Sequence, residues 1–212
     1  MFHHGPGQPG AVKEVNRWDD HYARRARNEK WPARSVYKLE EIDKKYRIIR
    51  AGDHVLDLGC YPGSWSRYSL AKVGSRGSVV GIDLKEPRDL SHPNFRFIRG
   101  DVLNLDEAWI AEQVGQRDVV ISDLAPATTG IRVTDASRST ALAQKALDIA
   151  LEVLKKGGHF VCKIFENEDA KQLRNEFSHL FEQTRTVRPA AVRKTSREVY
   201  ILGLHLLEEH GY

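Results

Sequence analysis

A chain of 212 residues is long enough for one well-packed domain with a short appendage, and too short for two comfortable ones. Its 41% hydrophobic and 29% charged residues are ordinary for a globular protein; no apolar run approaches a membrane span, and MFHHGPGQPG at the start lacks the apolar centre of a secretory signal. The net charge of +4 hides an uneven distribution: residues 17–50 carry 11 Lys/Arg against 6 Asp/Glu, and residues 185–197 carry 5 against none. Such asymmetry points to a polyanionic partner, nucleic acid first, with a solvated basic face as the bland alternative. Cys60 and Cys162 are the only cysteines, without zinc-ligand spacing, so no metal site is expected. Both adjoin apolar strand residues and are expected as buried, reduced thiols of a cytoplasmic protein.

In chain order, residues 1–16 are rich in Gly, Pro and His without periodicity and read as a disordered tail, in which His3 and His4 carry no function. Residues 17–212 are expected to form one domain that opens with basic helices up to residue 50. WDDHYARRARNEK, from Trp18 to Lys30, is a polar helix interrupted at Pro32. Ser35 precedes a second helix, VYKLEEIDKKY, whose Val36, Leu39, Ile42 and Tyr46 share a stripe. Lys38 lies off the centre of that stripe, where a lysine is usually just solvated. From His54 the rhythm alternates. HVLDLG, SVVGIDL, FRFIRGDV, DVVISDLA, HFVCKIF and VYILGLHL read as strands. GSWSRYSLAKVG, Leu105 to Val114, Ser137 to Leu154 (stopped by Gly157–Gly158) and Glu168 to Phe181 read as helices. This alternation predicts an α/β fold with a doubly wound, mostly parallel sheet.

Chemistry is expected where strands end, because ligands of open α/β sheets sit beyond the carboxyl ends of the strands. DLGCYPGSW closes the first strand, and Gly59 and Gly63 permit a sharp turn and close backbone approach. Gly59, Tyr61 and Ser64 stand where a dinucleotide fingerprint requires three glycines, and no G-K-[ST] follows, so neither that fingerprint nor a P-loop is present. Asp57, at the mouth of this loop, would repel a pyrophosphate and suits a cation. Asp83 ends the second strand, placed to accept from ribose hydroxyls; Asp101 ends the third; Asp123 follows the buried run Val119–Ile121. Each alone could be a turn residue. Together they call for a ligand with ribose, an amine and positive charge, which describes S-adenosylmethionine.

From Trp18 to about Leu206 the chain resembles the FtsJ family of ribosomal RNA ribose 2′-O-methyltransferases. RSVYKLEEID, DLGxxPGxW, GIDL, GDV, SDLAP, HFVCKIF and SREVYIL carry the resemblance. It implies the class I methyltransferase, Rossmann-like sheet of seven strands with the last antiparallel. It puts a catalytic set on Lys38, Asp123, Lys163 and Glu198, and donor contacts on Gly63, Trp65, Asp83, Asp101 and Asp123, beside Asp57 and Gly59 already singled out. Lys163 would touch the attacking hydroxyl, Lys38 would orient it or a flanking phosphate, and Glu198 and Asp123 would hold Lys163. Lys163 lies inside the apolar run FVCKIF, where an idle charge is costly. Cys60, Tyr61 and Ser64 replace smaller residues of the family loop, and FENED replaces a Gly-rich turn after Lys163.

The resemblance further implies a uridine of large-subunit (23S) ribosomal RNA, within the large subunit, as substrate of a monomeric enzyme with no membrane association. Trp18, Tyr22 and Trp31 are candidates for stacking on bases or for core packing. Transfer RNA or an mRNA cap as acceptor, a non-catalytic RNA-binding assembly factor and an NAD-dependent oxidoreductase are the rival readings. Burial, Lys38 and a sulfonium would favour neutral Lys163 as a base; Asp123 and Glu198 would favour a cation that stabilises an alkoxide, and the residues alone leave this open.

Overall fold

The computed structural model describes residues 17–207, with side chains from residue 21 onward. The tail expected over residues 1–16 and the side chain of Trp18 lie outside the described residues. Two helices come first, α1 (Arg17–Asn28) and α2 (Val36–Tyr46). The alternating part follows as β1 (His54–Leu58), α3 (Ser64–Val73), β2 (Ser78–Asp83), β3 (Phe95–Arg99), α4 (Glu107–Val114) and β4 (Arg117–Ser122). Next come α5 (Arg132–Val153), β5 (Leu154–Phe165), α6 (Asp169–Leu180), β6 (Phe181–Val187) and β7 (Glu198–Leu206).

The strands form a seven-stranded sheet in the order β3-β2-β1-β4-β5-β7-β6. β1 to β5 are parallel to one another, and β7 runs antiparallel between β5 and β6. The expected doubly wound, mostly parallel sheet with an antiparallel last strand is therefore present. Two cores follow from period-2 alternation. Leu56, Val80, Val120, Phe160 and Cys162 face one side, against Ala146, Leu147 and Ala150 of α5 and Phe177 of α6. Val55, Val79, Val119, Val161 and Tyr200 face the other, against Leu39 and Ile42 of α2 and Trp65 and Leu70 of α3. Cys60 and Cys162 are free thiols, both buried.

α2 is fixed firmly, which matters because it carries Lys38. Its apolar stripe is buried, and Arg47 in the left-handed region (φ 52°) ends it. Buried Asp43 accepts from the Tyr68 hydroxyl (2.8 Å) and the Ile49 amide (3.0 Å) and pairs with Lys72 (3.2 Å), tying α2 to α3. The two basic segments also meet: Arg34 donates to the Ala191 carbonyl (2.7 Å), and Glu41 accepts from the Ala190 amide (2.7 Å).

Several expected boundaries are corrected. α5 starts at Arg132 rather than Ser137, because Asp135 in its first turn accepts from the amides of Thr129 (2.7 Å) and Gly130 (3.2 Å) and so closes the preceding loop onto the helix. It also stops at Val153, before the glycine pair, and Gly157 (φ 76°) lies inside β5. β3 ends at Arg99, leaving Asp101 in the following turn. β6 was not anticipated at all; its residues are mostly exposed, as suits a polar edge strand. Among the described residues no helix is long and apolar enough to cross a membrane.

Candidate active site

The antiparallel insertion of β7 builds the site. Its start lies beside the end of β5, with Glu198 opposite Phe165 and Tyr200 opposite Lys163. Side chains directly opposite in an antiparallel pair share a face, so Lys163, Tyr200 and Glu198 point to the same side of the sheet. α2 covers that side and brings Lys38. Asp123, one residue past β4, completes the group.

The Lys163 ammonium lies 3.0 Å from an Asp123 carboxylate oxygen and donates to the Asp123 carbonyl at 2.6 Å. Lys38 pairs with Glu198 at 2.5 Å. The Tyr200 hydroxyl lies 2.7 Å from Asp123 and 2.7 Å from Glu198, so its single proton is shared between two carboxylates. Lys38 also sits 5.9 Å from the centroid of the Tyr200 ring. The result is one chain of contacts, Lys38–Glu198–Tyr200–Asp123–Lys163, in which two cations balance two anions. Burial alone would raise the Asp123 carboxyl, but Lys163, Lys38 and the Tyr200 hydroxyl outweigh it and hold it below the ordinary carboxylate range. Burial, reinforced by Asp123 and Glu198, pushes the Tyr200 phenol well up, so it remains a neutral donor.

The four residues expected to be catalytic thus meet, but not in the expected pairing. Glu198 holds Lys38 rather than Lys163, and it reaches Asp123 through Tyr200. Tyr200 itself went unrecognised in the sequence, although period-2 alternation places it on the face of Glu198, two residues on.

Next to this group lies the rim of β1, β2 and β3. Asp57 is an interior strand residue, in register with Gly81 and Ile121, and is fully buried rather than open at the loop mouth. One of its oxygens accepts from the Ser66 hydroxyl (2.6 Å); the other has no hydrogen-bond partner. Burial, partly countered by the Ser66 bond and reinforced by Asp123 and Asp83, raises the Asp57 carboxyl to about 7. Asp83 accepts from the Tyr61 amide (2.9 Å) and the Lys85 amide (3.0 Å), which fixes the turn after β1. Asp101 closes its own turn by accepting from the Leu103 amide (3.1 Å) and the Asn104 side chain (2.8 Å). Gly59 (φ 82°) and Gly63 (φ 108°) need the left-handed region, and a Cβ at Gly59 would lie 2.7 Å from a Leu124 methyl. Trp65 is buried, and its indole N–H is used by the Ser35 carbonyl (2.9 Å). It therefore anchors α2 to α3 and offers the rim no free polar atom. Tyr22 and Trp31 both pack partly against the second core, and Tyr22 also lies 5.5 Å from the Tyr37 ring.

A buried carboxylate oxygen without a partner, beside a glycine-lined turn and an acid at the end of β2, fits a cationic nucleoside. The sequence profile of FtsJ-like methyltransferases matches residues 31–206. The chain belongs to the FtsJ-like methyltransferase family. It is 47% identical over 184 residues to a ribosomal RNA large subunit methyltransferase E from Desulfosudis oleivorans, covering 87% of this chain and 89% of that protein. A crystal structure of a Plasmodium falciparum protein described as a ribosomal RNA methyltransferase superposes with a TM-score of 0.74 at 26% identity, over 84% of this chain and all of that one. Fibrillarin from Aeropyrum pernix, solved with S-adenosyl-L-methionine bound, shares the fold alone, at TM-score 0.51 and 15% identity over 74% of this chain and 68% of its own.

Proposed function

We propose that this methyltransferase moves a methyl group from S-adenosylmethionine to the 2′-hydroxyl of a ribose in large-subunit ribosomal RNA, at a uridine. The single observation that carries the reading is the buried chain of contacts from Lys38 to Lys163, next to a rim suited to a cationic nucleoside. Relatives of 47% identity named as large-subunit ribosomal RNA methyltransferases support the choice of RNA.

S-adenosylmethionine supplies the activated methyl group when bound. Asp83 would accept from its ribose hydroxyls, Asp57 would face its positive charge through the unpartnered oxygen, and the glycine turn at Gly59 and Gly63 would let the backbone approach. Exposed Leu84 and Leu103, next to Asp83 and Asp101, offer apolar surface to the purine. Trp65 would act by positioning rather than by polar contact.

On the acceptor side, the 2′-oxygen gains negative character as it bonds to the methyl carbon; the bond from that carbon to sulfur breaks with S-adenosylhomocysteine as the leaving group, and the hydroxyl proton passes to water. Lys163 is the group placed to meet it. Two of its protons are directed at Asp123, so an ammonium held in place can stabilise the developing alkoxide without reorganisation. Lys38 would hold the hydroxyl or a flanking phosphate, with Glu198 keeping it aimed. Asp123 links the donor side to Lys163, and Tyr200 links Asp123 to Glu198.

The two basic segments, tied together through Arg34 and Glu41, would grip RNA phosphates. Residues 17–212 would act as one domain and as a monomer, and the two buried free thiols suit a reducing cytoplasm. The experiment is labelled methyl transfer to total RNA, free ribosomal subunits and assembled ribosomes, followed by mapping of the modified ribose. Label in one large-subunit ribose is expected. Label in transfer RNA alone, or binding of RNA without transfer, would overturn the proposal.

A further inference from the structure

A cleft of about 400 Å³ lies on the far side of the turn after β1, outside the group just described. Its walls are the last turn of α1 and the turn that follows, with Arg27, Lys30 and Trp31, and the loop between β2 and β3, with Arg88; Tyr61 also lines it. Arg67 holds the two walls together, donating to the Lys30 carbonyl (3.0 Å) and the Asp89 carbonyl (2.8 Å). Four cations line the cleft against one carboxylate, that of Asp89. Among the described residues neither Arg27 nor Arg88 makes an ion pair, and both are exposed. Charges left unpaired in one concave place are the signature of a site for an anion that arrives from outside.

Tyr61 adds a second, independent feature. Its backbone amide is fixed to Asp83 (2.9 Å), yet the residue is 44% exposed. Lys85 stands 5.7 Å from the ring centroid. The carboxylate fixes the backbone from which the exposed ring projects, which removes part of the ordering cost on binding. Aromatic faces alternating with guanidinium groups match one class of ligand, an unstacked nucleotide with its phosphate.

We infer that this cleft is a second RNA subsite, in which a base flanking the methylated nucleotide stacks on Tyr61 while Arg27 and Arg88 hold its phosphates. The inference rests on the proposed RNA methyl transfer, and Tyr61 connects the two sites: its amide supports the donor rim, and its ring faces the cleft. The charge of the cleft favours an anionic ligand over a protein partner, since apart from Trp31 and Tyr61 its apolar lining is Pro32 and Pro62 alone.

The test is fluorescence anisotropy on the full chain with a labelled single-stranded RNA of about ten nucleotides, and with the same RNA carrying one abasic nucleotide at successive positions. Tyr61→Ala is expected to weaken binding by about ten-fold, and Tyr61→Phe to keep wild-type affinity. One abasic position should weaken the wild type and have no effect on Tyr61→Ala. Arg27→Gln combined with Arg88→Gln should flatten the log–log salt dependence by about 1.4, at about 0.7 per phosphate on a single strand. Wild-type affinity in Tyr61→Ala, equal weakening in Tyr61→Phe, or a loss confined to S-adenosylmethionine affinity would each overturn the subsite. Transfer of label to ribosomal RNA by the wild type is scored separately. Transfer with an inert Tyr61 overturns the subsite alone, and stacking without transfer overturns the proposed reaction alone.

Discussion

Lys38 of α2 and Glu198 at the start of β7 form an ion pair of 2.5 Å in which each side chain is only 13% exposed. Breaking such a pair from one side leaves a poorly hydrated charge, at the lower end of about 3–5 kcal/mol given the residual exposure. Glu198→Gln should therefore lower the urea midpoint as well as activity. The double variant Lys38→Met, Glu198→Leu removes both charges and should recover most of the stability without recovering methyl transfer. Urea unfolding and a transfer assay on the same samples separate the two effects; a double variant as unstable as Glu198→Gln would refute the account.

Tyr200→Phe tests the bridge. The variant keeps the buried ring and removes the hydroxyl shared by Asp123 and Glu198. Losing a hydrogen bond to a charged acceptor is worth about 1.5–3 kcal/mol of stability. Methyl transfer should fall by about ten-fold or more, through kcat rather than through KM for RNA, because the phenol positions the carboxylates that hold both lysines. An unchanged kcat would show that the bridge is only structural.

Much of the sheet was legible because β1, β2, β4 and β5 are buried on both faces and read as continuous apolar runs. β6 was illegible for the opposite reason. In FEQTRTV only Phe181 is fully buried, so the stretch looks like a polar loop until β7 supplies its partner. The acids proposed for the site could be read from their positions at strand ends. Asp57 was misplaced because it lies inside β1, where a carboxylate is not expected. The pairing of Glu198 with Lys38 could not be read either, since it depends on how α2 crosses the sheet.

Asp57 predicts a pH dependence. Its carboxyl, pushed up to about 7 by burial, has an unfolded value near 4, so the folded state keeps a proton that the unfolded chain releases between those values. Its contribution is fully present below about pH 4, is lost as pH rises through 7, and is on the order of 4 kcal/mol. Asp57→Asn should abolish this slope and stabilise the ligand-free protein at pH 8. Bringing a sulfonium near would favour the carboxylate, so binding of S-adenosylmethionine at pH 6.5 to 7 should release a proton. Calorimetry in buffers of different ionisation enthalpy measures that release directly, and its absence would remove Asp57 from the donor site.

Lys163→Met should lower kcat by about a hundred-fold or more while leaving the dissociation constant for S-adenosylmethionine within a few-fold. Lys163→Arg retains the charge. Partial activity in that variant, with little change in the pH profile, is the outcome expected of electrostatic stabilisation; complete inactivity together with a rate that rises with pH through one group in the wild type would instead make Lys163 the base.

The place of β7 between β5 and β6 has a consequence for biosynthesis. A nascent chain that has emerged only as far as the loop before Glu198 can pair five strands, while β6 still lacks the neighbour it pairs with. Until Glu198–Leu206 arrives, the apolar rim of β5 stands open and Lys38 has no carboxylate to meet. Ribosomal stalling just upstream should therefore yield products that are both inert and adhesive, and the same final segment that closes the sheet also switches the chemistry on.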